Sequence, residues 1–109
     1  MSYNAHTGDV LNEVYAERER QTERFGVQNH PDGTGGRQRQ VQLKDARDLY
    51  DLADRRGELT FRHILEEEVA EVFAETDPAA LRTELIQVAA VAVAWVEAID
   101  RRTAAKEET

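Results

Sequence analysis

Apolar residues recur every three or four positions along most of the chain, which is the period of an α-helix with one buried face. The first such segment follows Asp9, a residue type that caps helices, and ends at Phe25. A second segment runs from Gln42 to Arg56, and Gly57 is placed to end it. No segment alternates apolar and polar residues as a half-buried strand does. The pattern therefore predicts an all-α protein.

Two more helices follow from strong start signals. Thr60 is expected to cap a third helix that runs to about Thr76. Asp77 and Pro78 then predict a new start, because an acidic cap followed by proline at the first helical position favours a helix N-terminus. These third and fourth helices are predicted to be the antiparallel central pair of a four-helix bundle.

The fourth helix is expected to reach Arg101 or Arg102, with residues 103–109 fraying beyond it. Residues 85–96 are apolar almost all the way round the helix. A helix of that kind must be buried in a bundle or between subunits. We therefore expect a homodimer or a dimer of dimers.

Two stretches lack the helical pattern. Residues 1–8 are expected to form a loose N-terminus. Residues 26–40 form the one long irregular stretch, in which Pro31, Asp32 and Gly33 are typical of a turn. A loop of that length in a small domain is more often functional or mobile than a simple connector.

Composition narrows the class of protein. The chain has 109 residues, which favours a single domain over 1–109, and a formal net charge of −8, which argues against a nucleic-acid partner. It has no cysteine, so neither disulfides nor thiolate metal sites are available. Its most apolar run covers 85–96, shorter than the roughly 20 residues that a membrane helix needs. We expect a soluble cytoplasmic protein without a membrane partner.

A run of glutamates stands out in the third helix. Glu66, Glu67 and Glu68 are consecutive, and Glu71 follows one turn later. On a helical wheel Glu68 and Glu71 border the apolar face, whereas Glu66 points to solvent. A solvated helix face explains Glu66 and does not explain the other two. Like charges one turn apart repel each other, so a cation is expected among them.

The fourth helix repeats this spacing, because Glu84 and Gln87 are also three residues apart. Antiparallel helices joined at Asp77 would set these two opposite Glu68 and Glu71. Four side-chain oxygens converging in this way would suit a hard cation such as Mg²⁺ or Mn²⁺.

The sequences EEVAE at 67–71 and ELIQ at 84–87 resemble the paired EExxE and ExxD motifs of MazG-like nucleotide pyrophosphohydrolases. The resemblance implies an all-α MazG-like bundle that splits a nucleoside triphosphate, with Mg²⁺, into a monophosphate and pyrophosphate. It also implies that Glu68, Glu71 and Glu84 are metal ligands. Glu67 would bind a further metal or activate the attacking water.

One position departs from the family pattern, since Gln87 stands where the family has an aspartate. Its carbonyl oxygen can still be a ligand, but without the charge the site should hold metal less tightly. Two alternatives therefore stay open. One is a degenerate relative that binds nucleotide or metal without efficient turnover, and the other is an acidic helical protein that binds a basic partner.

Candidate substrate-binding residues lie in and after the long loop. Asn29 could read a base edge, and His30 could touch a base or a phosphate. Arg37 and Lys44 could meet the leaving pyrophosphate. The alternatives are ordinary turn chemistry for the first two residues and solvated surface charge for the others.

Overall fold

The computed structural model describes residues 4–108, and in that range the chain forms four α-helices and no strand. Helix α1 spans Ala5–Phe25, α2 spans Arg37–Arg55, α3 spans Phe61–Ala74 and α4 spans Pro78–Glu108. The prediction of an all-α protein with four helices is confirmed.

The chain packs as two compact units. One contains the chain up to Pro31 together with the chain from Val93 onward, and the other is Asp32–Ala92. The second unit contains α2, α3 and the first half of α4, and α2 packs against α3. All the acidic residues singled out in the sequence belong to this second unit.

Local capping explains why α3 and α4 begin where the sequence predicts. The Thr60 side chain accepts a hydrogen bond from the His63 backbone N–H at 3.3 Å, and His63 Nδ1 accepts one from the Thr60 N–H at 3.1 Å. The Asp77 carboxylate accepts the Ala80 N–H at 2.9 Å. Both caps satisfy backbone donors that the first turn of a helix leaves free.

Helix α1 begins at Ala5, which corrects the predicted start after Asp9 and the loose terminus for residues 5–8, whereas residues 1–3 of that terminus lie outside the described residues. Its first turn is attached to α4 by two side-chain hydrogen bonds. Thr7 Oγ1 donates to Glu97 Oε1 at 2.5 Å, and His6 Nε2 donates to Asp100 Oδ2 at 2.7 Å. Because these partners are remote in sequence, the helical period alone does not reveal them.

Helix α4 also exceeds its prediction, because it continues to Glu108 where fraying was expected from residue 103. The Thr103 hydroxyl donates to the Ile99 carbonyl at 3.1 Å, as a side chain inside a helix does. This corrects the expected C-terminal boundary by about two turns.

The long loop is shorter than predicted, since α2 begins at Arg37 and not at Gln42. The Gly35 N–H donates to the Phe73 carbonyl at 2.8 Å, and Gln40 Nε2 donates to the Ala74 carbonyl at 3.3 Å. These bonds satisfy carbonyls at the end of α3, which explains why that helix ends before Thr76.

Gly35 is the glycine that this arrangement requires. Its φ is +94°, a conformation that other residues rarely adopt, and a Cβ there would lie 2.5 Å from Thr76 Cγ2. The part of the loop next to α2 is therefore anchored closely against the end of α3.

The described chain has a small hydrophobic core. In residues 4–108, the buried hydrophobic residues are Val10, Leu43, Ala53, Val72, Ala74, Leu81 and Val93. No side chain in that range is completely buried, and Leu49 of α2 is 54% exposed. Large apolar side chains are exposed on each unit, including Tyr15 at 67% and Ile86 at 59%.

One helix in the described chain, Pro78–Glu107, is long and apolar enough to cross a membrane by length and composition alone. A single helix of this kind is weak evidence for a span, because core helices of soluble proteins meet the same criterion. Only 11% of its most apolar stretch is buried within the chain. Much of its apolar surface is therefore left uncovered by the rest of the chain.

Candidate metal centre

Three glutamates on α3 form the first part of the candidate site. Glu67, Glu68 and Glu71 are all partly buried, and the Glu71 side chain is 19% exposed. Glu66 is exposed and lies 3.9 Å from Arg62, one turn away on the same helix. The prediction that Glu66 faces solvent is confirmed. Glu67 and Glu68 each lie about one helical turn before Glu71, so both are neighbours of Glu71 on the helix surface.

Glu84 joins this group from α4. It is partly buried, and its pKa is raised by burial first and then by the charges of Glu75, Glu71 and Glu68. Nearby like charges disfavour the ionised form of a carboxyl, so these neighbours add to the effect of burial on Glu84. The sequence-based expectation that antiparallel helices set Glu84 opposite Glu68 and Glu71 stays a prediction.

Two carboxylate oxygens of this group have no hydrogen-bond partner although they are shielded from solvent. These are Oε2 of Glu68 and Oε2 of Glu84. Burial, and then the charge of Glu71, raises the pKa of Glu68. A buried carboxylate oxygen without a donor is costly, so each of these two oxygens marks a place where a positive group would fit.

Glu67 is also affected by its neighbours. Burial raises the pKa of this carboxyl first, followed by the charge of Glu71 and a hydrogen bond to it. The charge of Glu68 adds to the effect, and Arg47 opposes it. A carboxylate whose pKa is raised toward neutrality is suited to accept a proton during a reaction.

Arg47 is the cation that the sequence reasoning missed. It extends from α2, and its Nη2 donates to Glu71 Oε1 at 3.4 Å. Its charge also opposes the rise in the pKa of both Glu67 and Glu84. Sequence spacing could not reveal it, because the partner lies 24 residues away on another helix. In the sequence, Arg47 directly follows Ala46 and lies three residues before Tyr50, and both of these residues are partly buried.

Gln87 lies one turn after Glu84 on α4 and is exposed. Glu75, which was not among the predicted site residues, is partly buried and is the first of the charges that raise the pKa of Glu84. The acidic group therefore includes Glu67, Glu68 and Glu71 on α3 and also Glu75, the residue that follows the end of this helix. Glu75 lies one helical turn after Glu71, and this spacing in the sequence could have identified it.

No set of three or more histidine, aspartate or glutamate side chains within the described residues is arranged so that it could hold a metal ion as it stands. The carboxylates are neighbours, and a shared cation would require their side chains to converge. Glutamate side chains can change rotamer, which is the kind of movement that this convergence requires.

The predicted substrate-binding residues are divided between the two units. Arg37 is exposed at the start of α2, and Lys44 is paired with Asp48 at 2.8 Å on the same helix. Asn29 and His30 belong to the other unit, where they help to line a pocket of about 580 Å³ next to Phe25.

A second pocket of about 590 Å³ lies within the unit that carries the carboxylates. The loop supplies Asp32, Gly33 and Thr34, and α2 supplies Arg39 and Gln42. Its apolar wall consists of Val72, Phe73, Leu81 and Leu85. These come from the parts of α3 and α4 that also carry Glu71 and Glu84, and the volume is within the range of small-molecule sites.

No family model, curated protein or solved structure matches this chain. The chemistry of the site therefore rests on the residues themselves.

Proposed function

We propose that the protein is a metal-dependent nucleoside triphosphate pyrophosphohydrolase with a MazG-like four-helix bundle and antiparallel α3 and α4. The observation that carries the proposal is the pair of buried, partnerless oxygens on Glu68 and Glu84, flanked by Glu71. The resemblance of residues 67–71 and 84–87 to paired pyrophosphohydrolase motifs supports the same reading.

The donor set fits a hard divalent cation. Glu68, Glu71 and Glu84 offer only carboxylate oxygens, and Gln87 can add an amide oxygen one turn away. Mg²⁺ and Mn²⁺ prefer such ligands and keep some of their waters, so the protein need not supply a complete shell. When bound, the cation would neutralise phosphate charge and make a bound water more acidic.

The chain's own residues would then perform three tasks. Glu68, Glu71 and Glu84 would orient the triphosphate through the cation. Glu67 would accept the proton of a water whose oxygen adds to one phosphorus of the α–β bridge. The bond from that phosphorus to the bridging oxygen breaks, which yields a nucleoside monophosphate and pyrophosphate.

Exposed Gln87 favours a second candidate, a relative that binds nucleotide or metal without efficient turnover. A neutral amide contributes less to cation binding than the family's aspartate, so affinity or rate would be lower. The third candidate, an acidic helical protein with a basic partner, requires no metal at all.

Release of pyrophosphate from a panel of nucleoside triphosphates tests the proposal. We expect release with Mg²⁺ or Mn²⁺, loss of release in Glu71→Gln, and near-parental release in Glu66→Gln, the matched control. Metal-dependent nucleotide binding without release would select the second candidate. Absence of both metal and nucleotide binding would refute the pyrophosphohydrolase and leave the interaction protein.

We further propose that the active form is a homodimer or a dimer of dimers in the cytoplasm. The support is the exposed apolar surface, including Ile86, Leu85 and Phe73 in the unit that carries the acidic group. A second copy would cover apolar side chains that a lone chain leaves in water. Light scattering should show the oligomer at micromolar concentration, and Ile86→Glu should weaken it. A stable monomer, or partition into lipid vesicles, would contradict this proposal.

A further inference from the structure

Arg47 is the one basic side chain paired with the acidic group within Asp32–Ala92, all of which the structure describes. The other ion pairs in this unit join Lys44 to Asp48 and Arg62 to Glu66, and neither includes a carboxylate of the candidate site. Arg47 therefore provides the positive charge that those carboxylates have at close range in the protein alone.

The contact itself is loose. Arg47 Nη2 lies 3.4 Å from Glu71 Oε1, and 54% of the Arg47 side chain is exposed, against 19% for Glu71. A long, half-exposed side chain at that distance gains little from the pair and can turn away at small cost. The contact nevertheless occupies an oxygen of a central carboxylate of the proposed cation site.

We propose that Arg47 is the resident counterion of this acidic group, that a divalent cation displaces it from Glu71, and that the freed guanidinium then contacts the phosphates of the ligand. This inference rests on the proposed function. Two positive groups on one carboxylate repel each other, so the cation and Arg47 compete. A guanidinium is suited to bind the phosphate oxygens that arrive with the metal.

The proposal makes Arg47→Met act in opposite directions on two ligands. Binding of Mn²⁺ alone should become tighter by about two- to fivefold, because a competing positive charge of the strength of a surface ion pair is gone. Binding of inorganic pyrophosphate in the presence of Mg²⁺ should become weaker. Without metal, the variant should melt at a lower temperature than the parent, because the carboxylates have lost their counterion.

Isothermal titration calorimetry with Mn²⁺ alone and with Mg²⁺ plus pyrophosphate measures both directions. Arg62→Met is the matched control, since it removes the same charge from a pair outside the acidic group and should change neither isotherm. Arg47→Lys keeps the charge and should stay close to the parent for Mn²⁺.

The outcomes separate this inference from the function on which it rests. If the parent binds Mn²⁺ and Arg47→Met binds it equally or more weakly, the displacement is refuted while the metal site stands. If Mn²⁺ binding tightens and pyrophosphate binding is unchanged, the phosphate contact is refuted. If the parent binds no Mn²⁺, both the proposed function and this inference fail.

Discussion

Helix α4 carries glutamates in two very different surroundings. Near its C-terminal end, Glu97 accepts a hydrogen bond from Thr7, and neighbouring Asp100 accepts one from His6. Near its start, Glu84 has a buried oxygen without a donor and other carboxylates as neighbours. The residue type and the helix are the same, and the difference is the partner that another helix supplies.

This contrast separates carboxylates that receive a hydrogen bond from carboxylates that do not, and we propose that the second kind serves function. A carboxylate that receives a donor stabilises the packing of the helices that it joins. A partly buried carboxylate that has an oxygen without a donor and lies among other carboxylates destabilises the protein alone and favours a bound cation. Glu97 belongs to the first kind, and we assign Glu84 to the second.

The strongest test of this comparison removes one carboxylate charge from each region in a separate variant. At a Mn²⁺ concentration of about 100 times Kd, binding should stabilise the parent by about 2.7 kcal/mol, a rise in Tm on the order of 10 °C. Glu84→Gln should lose most of that rise, and Glu97→Gln should keep it while lowering the metal-free Tm. Differential scanning calorimetry measures all three proteins. An equal Mn²⁺ response in both variants would show that the two regions do not differ.

The pH dependence of the metal-free protein gives a smaller effect. Burial and neighbouring charge raise the pKa values of Glu67, Glu68 and Glu84, so the folded state binds more protons than the unfolded state above pH about 4.5. Their contribution to the free energy of unfolding is therefore greatest below that pH and is lost as pH rises through the raised values.

His6 has the same sign in a higher window, because the hydrogen bond to Asp100 raises the pKa of this imidazole. Its contribution is complete below about pH 6.5 and is lost as pH rises through the folded pKa. Urea unfolding between pH 5 and 8 measures how the free energy of unfolding depends on pH. That dependence should be weaker near pH 5 in Glu68→Gln and weaker near neutral pH in His6→Gln. Parallel curves for parent and Glu68→Gln would contradict the assignment of Glu68.

The smallest expected effect on stability concerns Glu97, the carboxylate that accepts a hydrogen bond. Thr7→Val removes the donor to Glu97 and should lower the free energy of unfolding by about 1 to 2 kcal/mol, since a partly buried carboxylate loses its partner. Thr83→Val is the matched control, because that hydroxyl is exposed and bonds only the Ala79 carbonyl in its own helix. Chemical unfolding should show little change for the control. A loss no greater than in the control would mean that Glu97 is not held by Thr7.

Local chemistry in the sequence was sufficient for the helix type, for the starts at Thr60 and Asp77, and for the exposure of Glu66. Each depends on side chains within about one turn of one another, and that range is what periodicity and capping report. That Glu68, Glu71 and Glu84 share one cation site stays a prediction, and it rests on a short turn between two antiparallel helices bringing together residues equally far from it.

Only the tertiary structure decided the features that depend on remote partners. Helix α1 begins at Ala5 because Thr7 and His6 reach residues about 90 positions away. The end of α3 is set by donors from Gly35 and Gln40, and Arg47 meets Glu71 from a different helix. Such contacts depend on how helices pack against one another, and the local pattern that specifies each helix does not contain that information.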